Sequence, residues 1–283
     1  MSVRYLVTGA SGMLGRDLQE ALAGRDVTAL GRADLDVTDA SATREAVAGH
    51  DVVINAAAYT KVDDAETHED DAYAVNATGA ANLAAAAASA GARLVQVSTD
   101  YVFDGSATSP YPEDGPYAPI SAYGRTKAEG ERLALAANPG ATFVVRTAWL
   151  YGAYGPNFAK TMLKLAETKE TWAVVDDQVG QPTWTGDLAR QIVAMLDAEA
   201  PAGIYHGTNG GQVSWYGFAR AVLEEAGLDP ERITPTDSSA FVRPAPRPAY
   251  SVLGHDAWSQ TGVAPMRDWR DALRAASTAG VFD

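Results

Sequence analysis

Along the first half of the chain, short apolar runs alternate with longer segments whose apolar residues return every third or fourth position. Residues 5–8 form one such run, ending at Gly9, and 13–23 follow with Leu14, Leu18 and Leu22 on one helical face. This order predicts strand, turn, helix. Residues 27–30 and 52–54 predict further buried strands. The alanine-rich stretch 72–90 predicts a helix that stops at Gly91. Residues 94–97 predict the next strand. Ser121 is placed to cap a helix running toward Ala137, which Asn138, Pro139 and Gly140 end before a strand over 143–146. Strands alternating with helices imply an α/β fold with a parallel, doubly wound sheet.

After about residue 148 the rhythm changes. Gly152, Gly155 and Pro156, then 180–182, then Gly210 and Gly211 punctuate shorter elements, and 241–248 holds Pro244, Pro246 and Pro248 in a loop-like stretch. The expected organisation is a dinucleotide-binding domain over 1–148, to whose sheet later segments return. A smaller, discontinuous C-terminal substrate lobe is expected over 149–283. Ligands of open α/β sheets bind outside the carboxyl ends of the strands, so the active site is expected between sheet and lobe.

Composition narrows the function. The chain has 283 residues, of which 47% are hydrophobic, enough for a packed core, and no stretch reaches the length of a membrane span. The start of the chain lacks the layout of a signal peptide, and cysteine is absent, which excludes disulfides, thiolate nucleophiles and zinc–sulfur sites. A cytoplasmic protein is expected. A formal net charge of −14 without a basic stripe argues against nucleic acid as a partner, and no membrane partner is expected. A phosphorylated ligand must therefore be held by local arginines and backbone amides.

Three groups of residues carry candidate chemistry. Gly9, Gly12 and Gly15 form G-x-x-G-x-x-G between the first strand and helix, where backbone amides at a helix N-terminus suit a dinucleotide pyrophosphate. At the end of the second strand the usual ribose-binding carboxylate is missing; Gly31 and Arg32 stand there, and an arginine suits a 2′-phosphate, so NADPH is favoured, with NADH left open. Asn55 and the small residues Ala56, Ala57 and Ala58 end the third strand, and Ser98, Thr99, Asp100 and Tyr101 follow the fourth. Thr99 is placed to hydrogen-bond a substrate carbonyl. Tyr123 and Lys127, in YGRTK, lie one helical turn apart on a shared face. A phenol ordinarily ionises near pH 10; an adjacent ammonium is expected to bring it toward neutrality, where it exchanges protons with a carbonyl oxygen.

The segments TGASGMLG, NAAAYTKVDDAE, STDYVFDG, YGRTK, RTAWLYG, DDQVGQPT and SWYGFA together resemble the extended short-chain dehydrogenase/reductases. Within them the chain resembles the dTDP-4-dehydrorhamnose reductase family almost end to end. The glycine triad and YxxxK are common to the superfamily, whereas STDYVFDG and QVGQPT point to this branch. The resemblance implies a Rossmann-like fold, a catalytic triad on Thr99, Tyr123 and Lys127, and NADPH-dependent reduction at C4 of a dTDP-4-keto-6-deoxy sugar. The foremost such reaction is dTDP-4-dehydrorhamnose to dTDP-L-rhamnose. It also implies sugar contacts from Val62, Tyr101 and Trp149, and cofactor contacts from Met13, Leu14, Asp36, Val37, Ala56, Ala57, Ala58 and Tyr59. Arg243 and Arg247, within RPAPRPAYSVL, resemble the segment that meets the nucleotide diphosphate, although Tyr250 stands where asparagine is common. Some bacterial relatives form homodimers around a carboxylate-held magnesium; Asp187 is the one candidate ligand here, and no metal is assigned.

Related readings stay open at this level. Sugar-nucleotide 4,6-dehydratases follow the threonine with two acids, but here Thr99 and Asp100 are followed by Tyr101, which removes the base that dehydration needs. Reductases of the dihydrostreptose or talose type share the scaffold, and epimerases share YxxxK. The regulatory subunit of methionine adenosyltransferase is a further relative that binds nucleotide without this chemistry, and the intact triad argues against that role.

Overall fold

The computed structural model describes residues 2–282. Its centre is a parallel sheet in which β1 (Arg4–Thr8), β2 (Asp26–Leu30), β3 (Val52–Asn55), β4 (Arg93–Thr99) and β5 (Thr142–Thr147) lie in the order β5-β4-β3-β1-β2. The strand pattern follows from burial on both faces. Tyr5 and Val7 of β1 join one core with Ile54, while Leu6 and Val53 point the other way into a second core with Leu83 and Leu94. Between β1 and β3 the order of the strands reverses, and a crevice opens outside their carboxyl ends.

On one face, α1 (Met13–Ala21) buries Leu14 and Leu18 against Leu188 and Ile192 of α7 (Thr185–Asp197). On the other face lie α2 (Ala40–Val47), α4 (Gly79–Ala90) and α5 (Ala122–Ala137). Ser121 caps α5 as expected, its Oγ accepting from the Gly124 amide at 3.1 Å. Gly91 ends α4 in a left-handed conformation. The helix expected over 72–90 differs in two respects. It begins earlier, at α3 (Glu69–Tyr73), whose first turn carries Glu69, Asp70 and Asp71 where the helix dipole favours acids. Residues Ala74–Thr78 then widen into a π-helical turn before α4. Alanine propensity alone does not reveal that turn, which frees Asn76 for tertiary hydrogen bonds.

Past β5 the elements shorten. β6 (Leu150–Tyr151) pairs with β9 (Thr183–Trp184), and β8 (Val179–Gly180) pairs antiparallel with β11 (Val213–Ser214). A further core of Tyr151, Met162, Phe218, Leu223 and Leu273 forms among α6 (Phe158–Thr168), α8 (Trp215–Glu225) and α9 (Trp269–Thr278). The strand β10 (Gly203–His206) pairs in parallel with β5 at the sheet edge. Asp187, the candidate metal ligand, is buried and accepts hydrogen bonds from Arg267, Arg190 and Asn209. Burial works against its charge, but these donors hold its carboxyl below the usual range. Two guanidinium groups occupy the oxygens a cation would need. No group of three acidic or histidine side chains suited to a metal occurs among the described residues, and no helix there is long and apolar enough to cross a membrane.

Candidate active site

The crevice at the strand ends is a cleft of about 1150 Å³. Its floor is built from main chain. Gly9 sits at φ +67°, and a Cβ there would lie 2.5 Å from the Ala56 carbonyl carbon and the Ala57 nitrogen. A Cβ on Gly15 would collide with the Gly9 carbonyl. The turn therefore closes onto the end of β3 and leaves the α1 N-terminus facing the cleft, its N-cap Gly12 giving no side-chain cap among the described residues. A buried network holds the floor in place. Thr8 donates to Asn55 at 2.7 Å, Asn55 donates to Gln96 at 2.8 Å, and the Ala57 amide donates to Asn55 at 3.0 Å. These bonds tie β1, β3 and β4 together at the reversal of the sheet.

All twelve residues expected around the cofactor line this cleft: the three glycines, Met13, Leu14, Arg32, Asp36, Val37, Ala56, Ala57, Ala58 and Tyr59. Arg32 is exposed at its rim. The Thr38 amide and hydroxyl hold the Asp36 carboxyl below its usual range. Asn76, from the π-helical turn, accepts from the Tyr59 amide at 2.8 Å and donates to the Tyr59 carbonyl and to Thr126 of α5. Sequence reasoning placed Asn55 at the end of the third strand without its network, and passed over Gln96 and Asn76; each of these two is a lone amide side chain in an apolar run, a signal that could have marked it. The fit to a dinucleotide is good: a turn that excludes any side chain, an open helix N-terminus, and an arginine beside a carboxylate at the end of β2.

Thr99, Tyr123 and Lys127 share the same cleft, with Val62, Tyr101 and Trp149 in its wall. The Tyr101 ring meets Tyr123 edge-on at 5.6 Å. One expectation fails. Burial pushes the Tyr123 phenol above its ordinary range, the Asp100 charge adds to the rise, and only the Thr99 hydroxyl opposes it. Lys127 donates to the Val97 carbonyl at 2.6 Å, and burial brings its ammonium down to about 8 against the pull of Glu131. The strand carbonyl takes one of the three N–H donors of the ammonium, and it is burial that tightens the hold of the phenol on its proton.

Trp149 adopts φ +47°, a strained conformation for a bulky residue. It is held by stacking on Trp215 at 3.5 Å with a 7° interplanar angle and by lying over Gly180, where a Cβ would stand 2.5 Å from the indole. Neither Gly180 nor Trp215 was singled out as a site residue, because their role is contact with Trp149 across long sequence separations. Arg247 lies behind Tyr101, 5.9 Å from its ring centroid, and donates to Asp63 at 2.9 Å, while its Nη1 is buried without a hydrogen-bond partner among the described residues. Arg243 is more exposed, 4.0 Å from the same carboxylate. The two arginines are thus gathered by Asp63, next to Val62, and lie outside the lining of the cleft proper.

A parallel sheet with a glycine turn and a Thr–Tyr–Lys cluster at its carboxyl ends defines an NAD(P)H-dependent oxidoreductase of the extended short-chain dehydrogenase/reductase type, specifically a sugar-nucleotide 4-keto reductase. The chain belongs to the dTDP-4-dehydrorhamnose reductase family: the family model described as RmlD substrate binding domain matches residues 3–280. A probable dTDP-4,6-dihydroxy-2-methyloxan-3-one 4-ketoreductase of Streptomyces antibioticus is 54% identical, covering 97% of this chain and 94% of the relative. A dTDP-4-dehydrorhamnose reductase of Streptomyces griseus is 52% identical over 95% of this chain and 91% of its own. The crystal structure of the Bacillus anthracis dTDP-4-dehydrorhamnose reductase in complex with NADP superposes with a TM-score of 0.95 at 38% identity, covering 99% of this chain and all (100%) of that one.

Proposed function

We propose that this protein uses NADPH to reduce the C4 keto group of a dTDP-4-keto-6-deoxy sugar in the cytoplasm, dTDP-4-dehydrorhamnose to dTDP-L-rhamnose foremost. The observation that carries the proposal is the convergence of Thr99, Tyr123 and Lys127 on one cleft with the glycine turn. When bound, NADPH supplies the hydride that C4 receives. The turn of Gly9 and Gly12, closed by the Gly12 amide on the Gly9 carbonyl, makes room for the pyrophosphate, which the backbone amides of Met13, Leu14 and Gly15 at the start of α1 receive, and Arg32 and Asp36 face the adenosine ribose. Thr99 and Tyr123 hydrogen-bond the sugar carbonyl; as negative charge develops on its oxygen, Tyr123 delivers its proton. The high affinity of the buried phenol for its proton keeps it loaded at neutral pH. Lys127 steadies the phenolate left behind and orients the nicotinamide ribose.

Val62, Tyr101 and Trp149 present apolar surface to the deoxysugar, and Arg247, with Arg243 at the rim, meets the diphosphate. The unpartnered Nη1 of Arg247 supports that role, because a buried guanidinium nitrogen lacks a partner only at an energetic cost. In this reading residues 1–148 and the segments returning to the sheet hold the cofactor, and 149–283 mainly hold the sugar nucleotide. A second substrate, another dTDP-4-keto sugar, is favoured by the Streptomyces antibioticus relative, whose name specifies a different ketone. A panel of dTDP-4-keto sugars with NADPH, followed by product analysis, tests the proposal. Net NADPH consumption with a C4 alcohol as product is expected; redox-neutral turnover would identify an epimerase instead.

A further inference from the structure

Asp100 follows Thr99 in the turn after β4, is buried to 2% exposure, and belongs to the lining of the cleft. The reduction proposed above gives it no task, and the dehydration in which such an acid serves lacks its second carboxylate here. Its surroundings are unusual for a carboxylate. Oδ1 accepts from the Thr99 hydroxyl at 2.8 Å, while Oδ2 is buried with no hydrogen-bond partner among the described residues. The Ser251 hydroxyl lies near without completing a bond to Oδ2. A buried anionic oxygen left unpaired is costly, and the neutral acid avoids much of that cost.

We propose that Asp100 acts as a neutral carboxylic acid that turns the Thr99 hydroxyl outward, making Thr99 a donor to the substrate carbonyl. The proposal rests on the reduction argued above and follows from counting hydrogen bonds at one oxygen. A hydroxyl offers one donor and two acceptor positions. The Thr99 Oγ1 already accepts from the Tyr101 amide at 3.2 Å. With Asp100 ionised, the Thr99 proton is drawn to Oδ1, and the position left for the cleft is a lone pair, which repels a ketone oxygen. With Asp100 protonated, its O–H donates to Thr99, both lone pairs are filled, and the Thr99 O–H is left to face the cleft, where the Tyr123 oxygen and the substrate carbonyl are its two acceptors. Neutral Asp100 also removes a negative charge from beside the developing alkoxide. Asp100 is therefore a positioning residue for Thr99.

The titratable groups facing Asp100 are Tyr101 on its own turn and Tyr123 on α5; burial is the larger cause of the rise in both phenols, and the charge of Asp100 adds to it only where Asp100 is ionised. Lys127 of α5 is turned to the Val97 carbonyl. Arg247 reaches only the Tyr101 ring and is paired with Asp63. The cleft thus offers Asp100 no close cation, and burial carries its carboxyl up to about 6 against the Ser251 and Thr99 hydroxyls. A bound sugar displaces water and raises it further.

The test is the pH dependence of kcat in wild type and Asp100→Asn, because an amide N–H donates to Thr99 as the neutral acid does but does not titrate. Wild-type kcat is expected to fall as pH rises through a limb at or above about 6, and the variant to lack that limb. At about pH 8 the variant is then expected to exceed wild type by about tenfold for each pH unit beyond that limb. Thr99→Val, slower throughout, is expected to lose the same limb, since without the hydroxyl the charge state of Asp100 no longer redirects a donor. NADPH binding reports folding of each variant. Infrared difference spectra of wild type against Asp100→Asn read the acid directly, without turnover, as a protonated carboxyl band that disappears when pH is raised. Persistence of the limb in Asp100→Asn overturns the proposal, as does loss of more than about 100-fold in its kcat at every pH with NADPH binding intact, or absence of the band down to about pH 5. Failure of wild type to reduce any 4-keto sugar counts against the proposed function, and the infrared band still decides the state of Asp100.

Discussion

Around the glycine turn the cleft wall is main chain contributed by neighbouring residues, whereas across from it the wall is side chains drawn from separated segments: Val62, Tyr101, Trp149, and behind them Gly180, Trp215 and Arg247. The first region is fixed by backbone contacts at van der Waals distance and a polar network across three strands. The second is fixed by aromatic stacking and one shared carboxylate, Asp63. The difference teaches where change is tolerated. An extra atom at the turn has no place to go, so a substitution there is expected to cost cofactor binding most. The opposite wall can be reshaped one side chain at a time, which suits a family whose members act on different keto sugars.

The largest effect is expected from Gly9→Ala. Its Cβ meets backbone atoms and it imposes a left-handed φ on alanine, a combined penalty of about 3 kcal/mol or more. NADPH binding by calorimetry should be lost or weakened by more than about 100-fold, with a lower Tm. Next in size is Gly180→Ala, which pushes the Trp149 indole off its seat. KM for the sugar nucleotide should rise by about tenfold or more while the Kd for NADPH stays unchanged; a change confined to the cofactor would erase the distinction between the two walls. Trp215→Ala should raise KM by a smaller factor, about fivefold, and Trp215→Phe should recover most of it by restoring a stacking face.

At neutral pH the smallest expected effect is on stability, and it lies outside the cleft. His206 is buried, with Nδ1 donating to the Gly254 carbonyl and Arg146 close to Nε2, and burial followed by the Arg146 charge brings its pKa down to about 3. The unfolded chain takes up that proton near pH 6.5, so the contribution of neutral His206 is complete above that pH and is lost as pH falls toward 3. Melting experiments should show a stability loss of up to about 1 kcal/mol per pH unit over this window, part of which His206→Gln removes.

Much of the first wall was legible in the sequence because it is local. The glycine triad, the strand ends and the YxxxK pair each lie within a few residues, and periodicity placed each on its element. The turn in the helix at Ala74–Thr78 was not legible, since alanine runs favour helix of any register and the reason for widening is a contact between Asn76 and the Tyr59 loop. The upward push on the Tyr123 phenol was not legible for a related reason. Spacing places Lys127 on the same face but shows neither how deeply the phenol is buried nor that the Val97 carbonyl takes one N–H of the ammonium. Trp149 was identified by resemblance, yet the residues that hold it, Gly180 and Trp215, depend on pairing between β8 and β11 that no local pattern announces.

The most direct measurement follows NADPH loss when wild-type protein and Tyr123→Phe are each given a dTDP-4-keto-6-deoxy sugar, with NADPH binding measured in parallel. Wild type should consume one NADPH per sugar reduced. The variant should bind NADPH equally well and turn over at least about 1000-fold more slowly, because only the proton donor is gone. Equal turnover by the variant, or a wild type that binds NADPH and reduces no 4-keto sugar nucleotide, would contradict the assignment of this cleft as a reductase site.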